Sequence, residues 1–238
     1  HIGCQGFTYL EDIACAKAEI FSGLSTNGLA VVSEQAKSFK AINEAIQAFH
    51  HLSFGLAQDN DICVSKIYLN TRETTYQVYD KKQTAQVHIN LLGQHNVFNS
   101  MAVFAILQGV PGLNWQMIAE SLAHYRSGIG RQAINYLHNG VTLIDDSYNA
   151  NPMAMRCAVN VLANYPQSRI LVMGDMGELG EQSQSLHQEI GHYAKIHGVT
   201  YLLALGSESQ AAVASFGDRA FHYISHQDLI KDLNTLLK

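Results

Sequence analysis

The chain has 238 residues, of which 47% are hydrophobic and 15% are charged, so it can bury a core and is not expected to be disordered. Lys and Arg number 15 against 20 Asp and Glu, which gives a net charge of −5 and argues against a protein that binds nucleic acid by neutralising phosphates. No apolar run approaches the roughly 20 residues that span a bilayer, and the first residues lack the basic and apolar regions of a signal peptide. These features predict a water-soluble protein without nucleic-acid binding or membrane insertion.

The cysteines indicate the compartment. The four of them form no Cys-x-x-Cys pair and are too sparse for a disulfide framework; they are Cys4, Cys15, Cys63 and Cys157. We therefore expect reduced thiols and a cytoplasmic protein. The 12 histidines include no His-Glu-x-x-His and no Cys/His cluster with zinc spacing, so most are expected at the surface.

The first half of the chain mixes helical periodicity with runs rich in β-branched and aromatic residues, which favour strands. In chain order we predict a helix at 10–24, a strand at 29–33, a helix at 39–52, strands at 62–69, 74–79 and 85–91, and helices at 96–108 and 114–124. Lys17 lies beside the apolar face of the first predicted helix.

From about residue 132 the pattern becomes a regular alternation of strand and helix. The predicted strands are 141–145, 169–173, 201–205 and 221–224, and the predicted helices are 153–164, 182–197, 208–216 and 228–237. This alternation predicts right-handed crossovers and a mainly parallel sheet. We therefore expect an α/β protein of two domains, 1–131 and 132–238, the second a small Rossmann-like unit.

Two carboxylates, Asp145 and Asp146, follow a predicted strand, at the position where open α/β sheets bind their ligands. Successive strand residues point to opposite faces, so at most one of the two faces a given ligand. Asn151 and Pro152 have the pattern of a helix N-cap followed by proline at the first helical position. A plain strand end explains the carboxylates equally well.

Asn96 and Asn99 are i, i+3 neighbours on one face of a predicted helix. A side-chain amide donates and accepts at once, which suits the N6/N7 edge of adenine. A role as N-cap would explain Asn96 equally well.

The run from Gly174 to Gly180 follows a buried strand and precedes a helix, as a dinucleotide phosphate loop would. Its glycine spacing is G-x-x-G-x-x-G rather than G-x-G-x-x-G, and Asp175 and Glu178 would repel a pyrophosphate. We therefore reject a dinucleotide site here. The carboxylates suit an ammonium or hydroxyl group, or cap the following helix. The sequence contains no G-x-x-x-x-G-K-[ST] phosphate loop.

Four runs together resemble the Mur ligases, the ATP-dependent amide-bond ligases of peptidoglycan precursor synthesis. They are AKAEIFSGL at 16–24, GQHNVFN at 93–99, DDSYNANP at 145–152 and MGDMGELG at 173–180, the last with Leu186 and His187 downstream. The third and fourth runs resemble the branch that joins D-alanyl-D-alanine to UDP-N-acetylmuramoyl-tripeptide. The second is also similar to folylpolyglutamate synthetases.

The resemblance implies the C-terminal part of a P-loop-type ATPase central domain followed by a Rossmann-like domain. It implies that ATP activates the tripeptide carboxylate to an acyl phosphate, which the amino group of D-alanyl-D-alanine attacks, with Mg2+ neutralising phosphate charge. It also implies a monomer. The chain resembles a fragment without the N-terminal UDP-binding domain and the phosphate loop, so we expect it to be inactive alone.

The resemblance further implies two metal ligands. Lys17 matches the lysine that CO2 carbamylates into a carboxylate-like ligand for Mg2+, a modification that needs a neutral amine of the kind apolar surroundings favour. A lysine whose stem lies along an apolar surface is the alternative. His1 matches the histidine that shares the second metal ion, although it lies two residues further from the lysine than the family pattern has it.

For the nucleotide, the resemblance assigns adenine to Asn96 and Asn99, the ribose to Asp146 and the phosphates to Arg131, whose guanidinium fork suits that contact. Lys17 and Arg131 are thus the residues expected to support catalysis. His187 and Tyr148 also match the family, but the sequence assigns them no chemical role.

Two other functions stay open at this point. One is a different amide ligase of the superfamily, of the folylpolyglutamate or cyanophycin type, against which the run at 145–152 argues. The other is a non-catalytic nucleotide-binding or scaffolding module.

Overall fold

The computed structural model describes residues 10–237. These divide into two compact units, residues 10–126 and residues 127–237. The domain ranges 1–131 and 132–238 stay a prediction. No helix within residues 10–237 combines the length and the apolar character that crossing a membrane requires.

Residues 10–126 are built on a five-stranded mixed sheet of order β1-β2-β3-β4-β5. Its strands are β1 (Leu29–Ser33), β2 (His50–Gly55), β3 (Ile62–Leu69), β4 (Thr74–Tyr79) and β5 (Thr84–Ile89). The first three strands are parallel, whereas β3, β4 and β5 are antiparallel. The helices of this unit are α1 (Leu10–Ala18), α2 (Glu34–Lys37), α3 (Lys40–Ile46), α4 (Gln94–Leu107) and α5 (Trp115–His124).

The core of this unit forms where α4 and α5 cover one face of the sheet. Residues of β4 and β5 alternate between buried and more exposed positions, as strands covered on one face do. Tyr76 and Phe104 are fully buried, and the Phe104 and Trp115 rings meet edge to face with centroids 4.9 Å apart. Burial raises the pKa of Tyr76, whose hydroxyl lies 2.7 Å from Ser100 Oγ on α4.

The predicted helix at 39–52 is wrong in its second half. Helix α3 ends at Ile46, and His50–Gly55 is strand β2, which pairs in parallel with β1. Ser53 is buried in this strand, and its backbone N–H donates to Asp61 Oδ2 at 2.8 Å. Pairing with β1 supplies backbone hydrogen bonds that the helical pattern of the sequence did not reveal. The predicted helix at 10–24 is also shorter, since a 3-10 helix replaces it at Glu19–Gly23.

Residues 127–237 contain a three-stranded parallel sheet of order β10-β9-β8. The strands are β8 (Ile170–Gly174), β9 (Tyr201–Leu205) and β10 (Ala220–Tyr223), and the helices are α6 (Pro152–Ala163), α7 (Ser183–Ile196), α8 (Gln210–Phe216) and α9 (His226–Leu236). The predicted α/β alternation is confirmed from α6 onward.

The strand expected to open the parallel sheet lies elsewhere. Strand β7 (Thr142–Asp145) pairs antiparallel with β6 (Ala133–Tyr136), which we did not predict. The hairpin turns at Asn139-Gly140, where Gly140 has a φ of +80° and its N–H donates to the Leu137 carbonyl at 3.0 Å. Asn-Gly is a strong hairpin signal because it tolerates positive φ, so the correction could have been read from the sequence.

Candidate functional site

Two asparagine amides meet at the start of α4. Asn96 Nδ2 donates to the Leu92 carbonyl at 2.9 Å, and Asn99 Nδ2 donates to Asn96 Oδ1 at 3.2 Å. The proposed N-cap role for Asn96 is wrong, because Gly93 is the cap residue, with a φ of 85°. Asn99 is exposed and Asn96 half-buried. An exposed amide beside a second amide suits the mixed donor and acceptor edge of a purine.

Ser100 fixes this turn on the sheet. Its hydroxyl donates to the Asn96 carbonyl at 2.8 Å and lies 2.7 Å from the hydroxyl of the buried Tyr76 on β4. The two asparagines therefore project from a rigid element, which is the arrangement that precise recognition needs.

The two carboxylates after β7 have different partners. Ser147 donates to Asp145 Oδ1 through its hydroxyl at 2.6 Å and its backbone N–H at 3.2 Å. These bonds stabilise the charged form and hold the pKa of Asp145 below its usual value. Asp146 is half-buried, and its Oδ2 accepts from Gln132 Nε2 at 3.5 Å. Asp145 thus stabilises the loop, whereas Asp146 is the better candidate to contact a ligand.

The loop then leads into α6 as the sequence predicted. Asn151 is the N-cap, its Oδ1 accepting from the Ala154 N–H at 2.9 Å, and Pro152 is the first helical residue. Behind the loop, burial raises the pKa of the half-buried Cys157 thiol, with a further contribution from the Asp146 charge.

Arg131 contacts the same loop through an aromatic ring. Its guanidinium carbon lies 3.9 Å from the centroid of the Tyr148 ring, a cation–π geometry. The Tyr148 N–H donates to the Gly130 carbonyl at 2.9 Å. The sequence had included Tyr148 in the DDSYNANP run without a role, and no local pattern indicates this partner 17 positions earlier.

The two predicted metal ligands, Lys17 and His1, lie near or before the start of the described residues. Lys17 lies in the last turn of α1 and is itself exposed, whereas the neighbouring Ala14 and Ala18 belong to an apolar cluster. His1 lies outside the described residues. Across residues 10–237, no three His, Cys, Asp or Glu side chains form a group that could hold a metal ion. This does not conflict with Mg2+, which usually takes only one or two carboxylates and binds the substrate phosphates.

The run from Gly174 to Gly180 is held by His187, which is fully buried. The Met176 N–H donates to His187 Nε2 at 3.0 Å, and His187 Nδ1 lies 2.8 Å from the Ser183 carbonyl, to which it donates in the matching tautomer. Asp175 Oδ1 accepts from the Ser209 N–H at 2.7 Å, next to α8 rather than at the helix that follows directly. Both contacts stabilise the conformation of this run.

Comparison with known proteins gives a consistent result. The family model described as "Mur ligase middle domain" matches residues 1–107, and the model described as "Mur ligase, glutamate ligase domain" matches residues 130–238. UDP-N-acetylmuramoyl-tripeptide–D-alanyl-D-alanine ligase of Escherichia coli strain K12 is 33% identical over 234 residues, covering 98% of this chain and 51% of the relative. The chain spans about half the length of the curated relatives it matches.

Solved structures agree in fold. The crystal structure of MurF from Acinetobacter baumannii has a TM-score of 0.86 at 28% identity, covering 94% of this chain and 49% of that one. MurF ligase from Thermotoga maritima, solved in complex with ADP, has a TM-score of 0.78, covering 93% of this chain and 50% of that one. Because the Thermotoga maritima structure is only 20% identical, its similarity supports the fold and nothing further.

Proposed function

Because this chain belongs to the Mur ligase family, we propose that the protein in which it occurs joins D-alanyl-D-alanine to UDP-N-acetylmuramoyl-tripeptide at the expense of ATP. The observation that carries the proposal is similarity along nearly the whole chain to ligases of that name.

The reaction has two steps. A carboxylate oxygen of the tripeptide attacks the γ-phosphorus of ATP, which forms an acyl phosphate and releases ADP. The amino group of D-alanyl-D-alanine then attacks the acyl carbon, the amide bond forms, phosphate leaves and the amine loses a proton. Water must be kept from the acyl phosphate, because hydrolysis competes with the amine.

In this proposal four residues bind the nucleotide. Asn96 and Asn99 read the adenine edge with their paired amides, Asp146 accepts hydrogen bonds from the ribose hydroxyls, and Arg131 contacts the phosphates. The support is chemical: the amides are mutually oriented, and Asp145 accepts two hydrogen bonds from Ser147, at 2.6 and 3.2 Å, whereas Asp146 accepts a longer one from Gln132, at 3.5 Å.

Mg2+ would neutralise the phosphate charge during transfer. Lys17, as a carbamate, and His1 are the proposed ligands. Lys17 is exposed, so CO2 can reach its amine. We also propose that the protein is a monomer and that it acts in the cytoplasm, the second in line with the free thiols of Cys15, Cys63 and Cys157.

The test is a ligation assay on the whole natural protein that contains this chain. With ATP, Mg2+ and both substrates, we expect phosphate release that depends on D-alanyl-D-alanine and, by mass spectrometry, a product longer by that dipeptide. The 238-residue chain by itself is expected to show no turnover, because its sequence contains no G-x-x-x-x-G-K-[ST] loop.

A parallel reaction with a folate and glutamate addresses the alternative ligase. Ligation of glutamate without any dependence on D-alanyl-D-alanine would contradict the proposal. ATP binding without ligation of either acceptor would favour a non-catalytic module.

A further inference from the structure

The backbone around Arg131 is unusually constrained. Gly130 and Gln132, on either side, have φ values of 70° and 56°, in the left-handed region. Gln132 is buried although polar, and the Arg131 N–H donates to the Gly128 carbonyl at 3.2 Å. A Cβ on Gly130 would lie 3.1 Å from the Tyr148 backbone nitrogen. The chain therefore holds the Arg131 Cα at a fixed place against the loop that follows β7.

The side chain of Arg131 is not fixed by that backbone. It is exposed, and the ion pairs found within residues 10–237, Lys40–Glu44 and Arg156–Glu189, do not include it. A long exposed arginine samples many rotamers and loses that freedom when it binds a phosphate. A contact that restricts the guanidinium beforehand lowers this cost.

The Tyr148 ring supplies such a contact. It lies 3.9 Å from the guanidinium carbon and is itself 67% exposed, so stacking is not imposed by core packing. The ring is presented by a short loop that is fixed at both ends, by the two bonds from Ser147 to Asp145 and by the Asn151 cap. The same loop carries Asp146.

We propose that Tyr148 is a positioning residue for Arg131, whose guanidinium it holds by stacking in the orientation that meets the nucleotide phosphates. The inference rests on the proposed function, in which Arg131 contacts those phosphates and Asp146 the ribose. In this proposal Tyr148 does not contact the nucleotide, and it is the face of its ring, rather than its hydroxyl, that positions the Arg131 guanidinium.

The test is a double-mutant cycle on nucleotide affinity. The dissociation constant of AMP-PNP with Mg2+ is measured by calorimetry on the whole natural protein for wild type, Tyr148→Leu, Arg131→Ala and the double variant. An exposed cation–π contact corresponds to about a two- to fivefold change in affinity. We expect Tyr148→Leu to weaken binding by about that factor when Arg131 is present and to have no further effect when it is absent.

Two more variants separate positioning from a general structural role. Tyr148→Phe keeps the ring and is expected to bind AMP-PNP as wild type does. Tyr136→Leu is the matched control, since Tyr136 is 65% exposed on β6 in the same unit and is expected to leave affinity unchanged.

The outcomes discriminate. Equal losses from Tyr148→Leu in both backgrounds would mean that the ring touches the nucleotide or supports the loop, and would overturn the inference. No loss in either background would overturn it as well. If wild type binds AMP-PNP but ligates no D-alanyl-D-alanine, the proposed function is wrong. If it ligates D-alanyl-D-alanine but Tyr148 and Arg131 show no coupling, only the inference about Tyr148 is wrong.

Discussion

Replacing His187 by Leu is expected to destabilise the unit formed by residues 127–237. The His187 side chain is fully buried, and it accepts from the Met176 N–H at 3.0 Å. Met176 is buried too, at 2% exposure, so water cannot replace the lost acceptor. Leu fills most of the volume of the imidazole, so the change removes a hydrogen bond while leaving little cavity.

The size of the effect follows from the group left without a partner. A buried N–H that loses its acceptor costs about 1–3 kcal/mol. The Ser183 carbonyl, which faces His187 Nδ1 at 2.8 Å, lies in the first turn of α7 and keeps the backbone hydrogen bond of the helix, so it adds little. We therefore expect the free energy of unfolding to fall by about 1–3 kcal/mol. His187→Gln carries an amide oxygen near the place of Nε2 and should recover part of this.

Hydrogen exchange of the Met176 amide, read by NMR, reports the bond directly, and urea unfolding gives the free energy. His192→Leu is the matched control, because His192 lies exposed on the same helix. The Met176 amide should exchange faster than in wild type in His187→Leu, and at the wild-type rate in His192→Leu. If His187→Leu kept both the protection and the stability of wild type, the buried imidazole would not be what holds this loop.

The remaining predictions concern the proposed site and use the whole natural protein. Lys17→Ala should remove most ligation activity, with partial rescue by short carboxylic acids, because the proposed carbamate would serve only as an anionic metal ligand. Unchanged activity would mean that Lys17 is an ordinary surface lysine. Asp146→Ala should raise the KM for ATP about ten- to a hundredfold, since hydrogen bonds to charged groups contribute about 1.5–3 kcal/mol. The KM for D-alanyl-D-alanine should stay unchanged. The reverse result in steady-state kinetics would assign Asp146 to the site of the acceptor substrate. Ser147→Ala should raise the pKa of Asp145 toward its ordinary value, because the hydroxyl and N–H of Ser147 lower it. A carboxyl whose pKa is lowered in the folded state contributes stability that is lost as the pH falls through that pKa. The Ser147→Ala variant should therefore unfold at a higher pH than wild type during acid titration. An NMR titration in which Asp145 matched wild type would contradict this prediction.

Elements with strong local signals could be predicted from the sequence. Strands β3 and β4 have the predicted bounds, because β-branched and aromatic residues alternate between polar turns. The start of α6 is also as predicted, since Asn151 and Pro152 carry the chemistry of a helix start in their own side chains. In each case the signal lies in the residues of the element itself.

Other features that depend on distant partners were not predicted, although strands β1 and β9, which pair with distant strands, have the predicted bounds. Residues 50–52 continue the predicted helical pattern, and pairing with β1 and β3 makes residues 50–55 a strand instead. The contact of Arg131 with Tyr148 and the bond from Met176 to His187 join residues 17 and 11 positions apart, a separation at which periodicity carries no information about partners.

The hydrogen bonds of the DDSYNANP run separate the residues that form the loop from the residues that we propose to act on the nucleotide. Its first carboxylate, Asp145, is held by Ser147, and its last asparagine, Asn151, starts α6. Both residues therefore form the loop rather than a binding surface. Between them the loop offers the half-buried carboxylate of Asp146 and the exposed ring of Tyr148. In this run the structural residues Asp145 and Asn151 stand on either side of Asp146 and Tyr148. A substitution at either structural residue is therefore expected to move Asp146 and Tyr148 as well. This predicts that substitutions at Ser147 and at Tyr148 reach the nucleotide by different routes, the first through the loop and the second through Arg131.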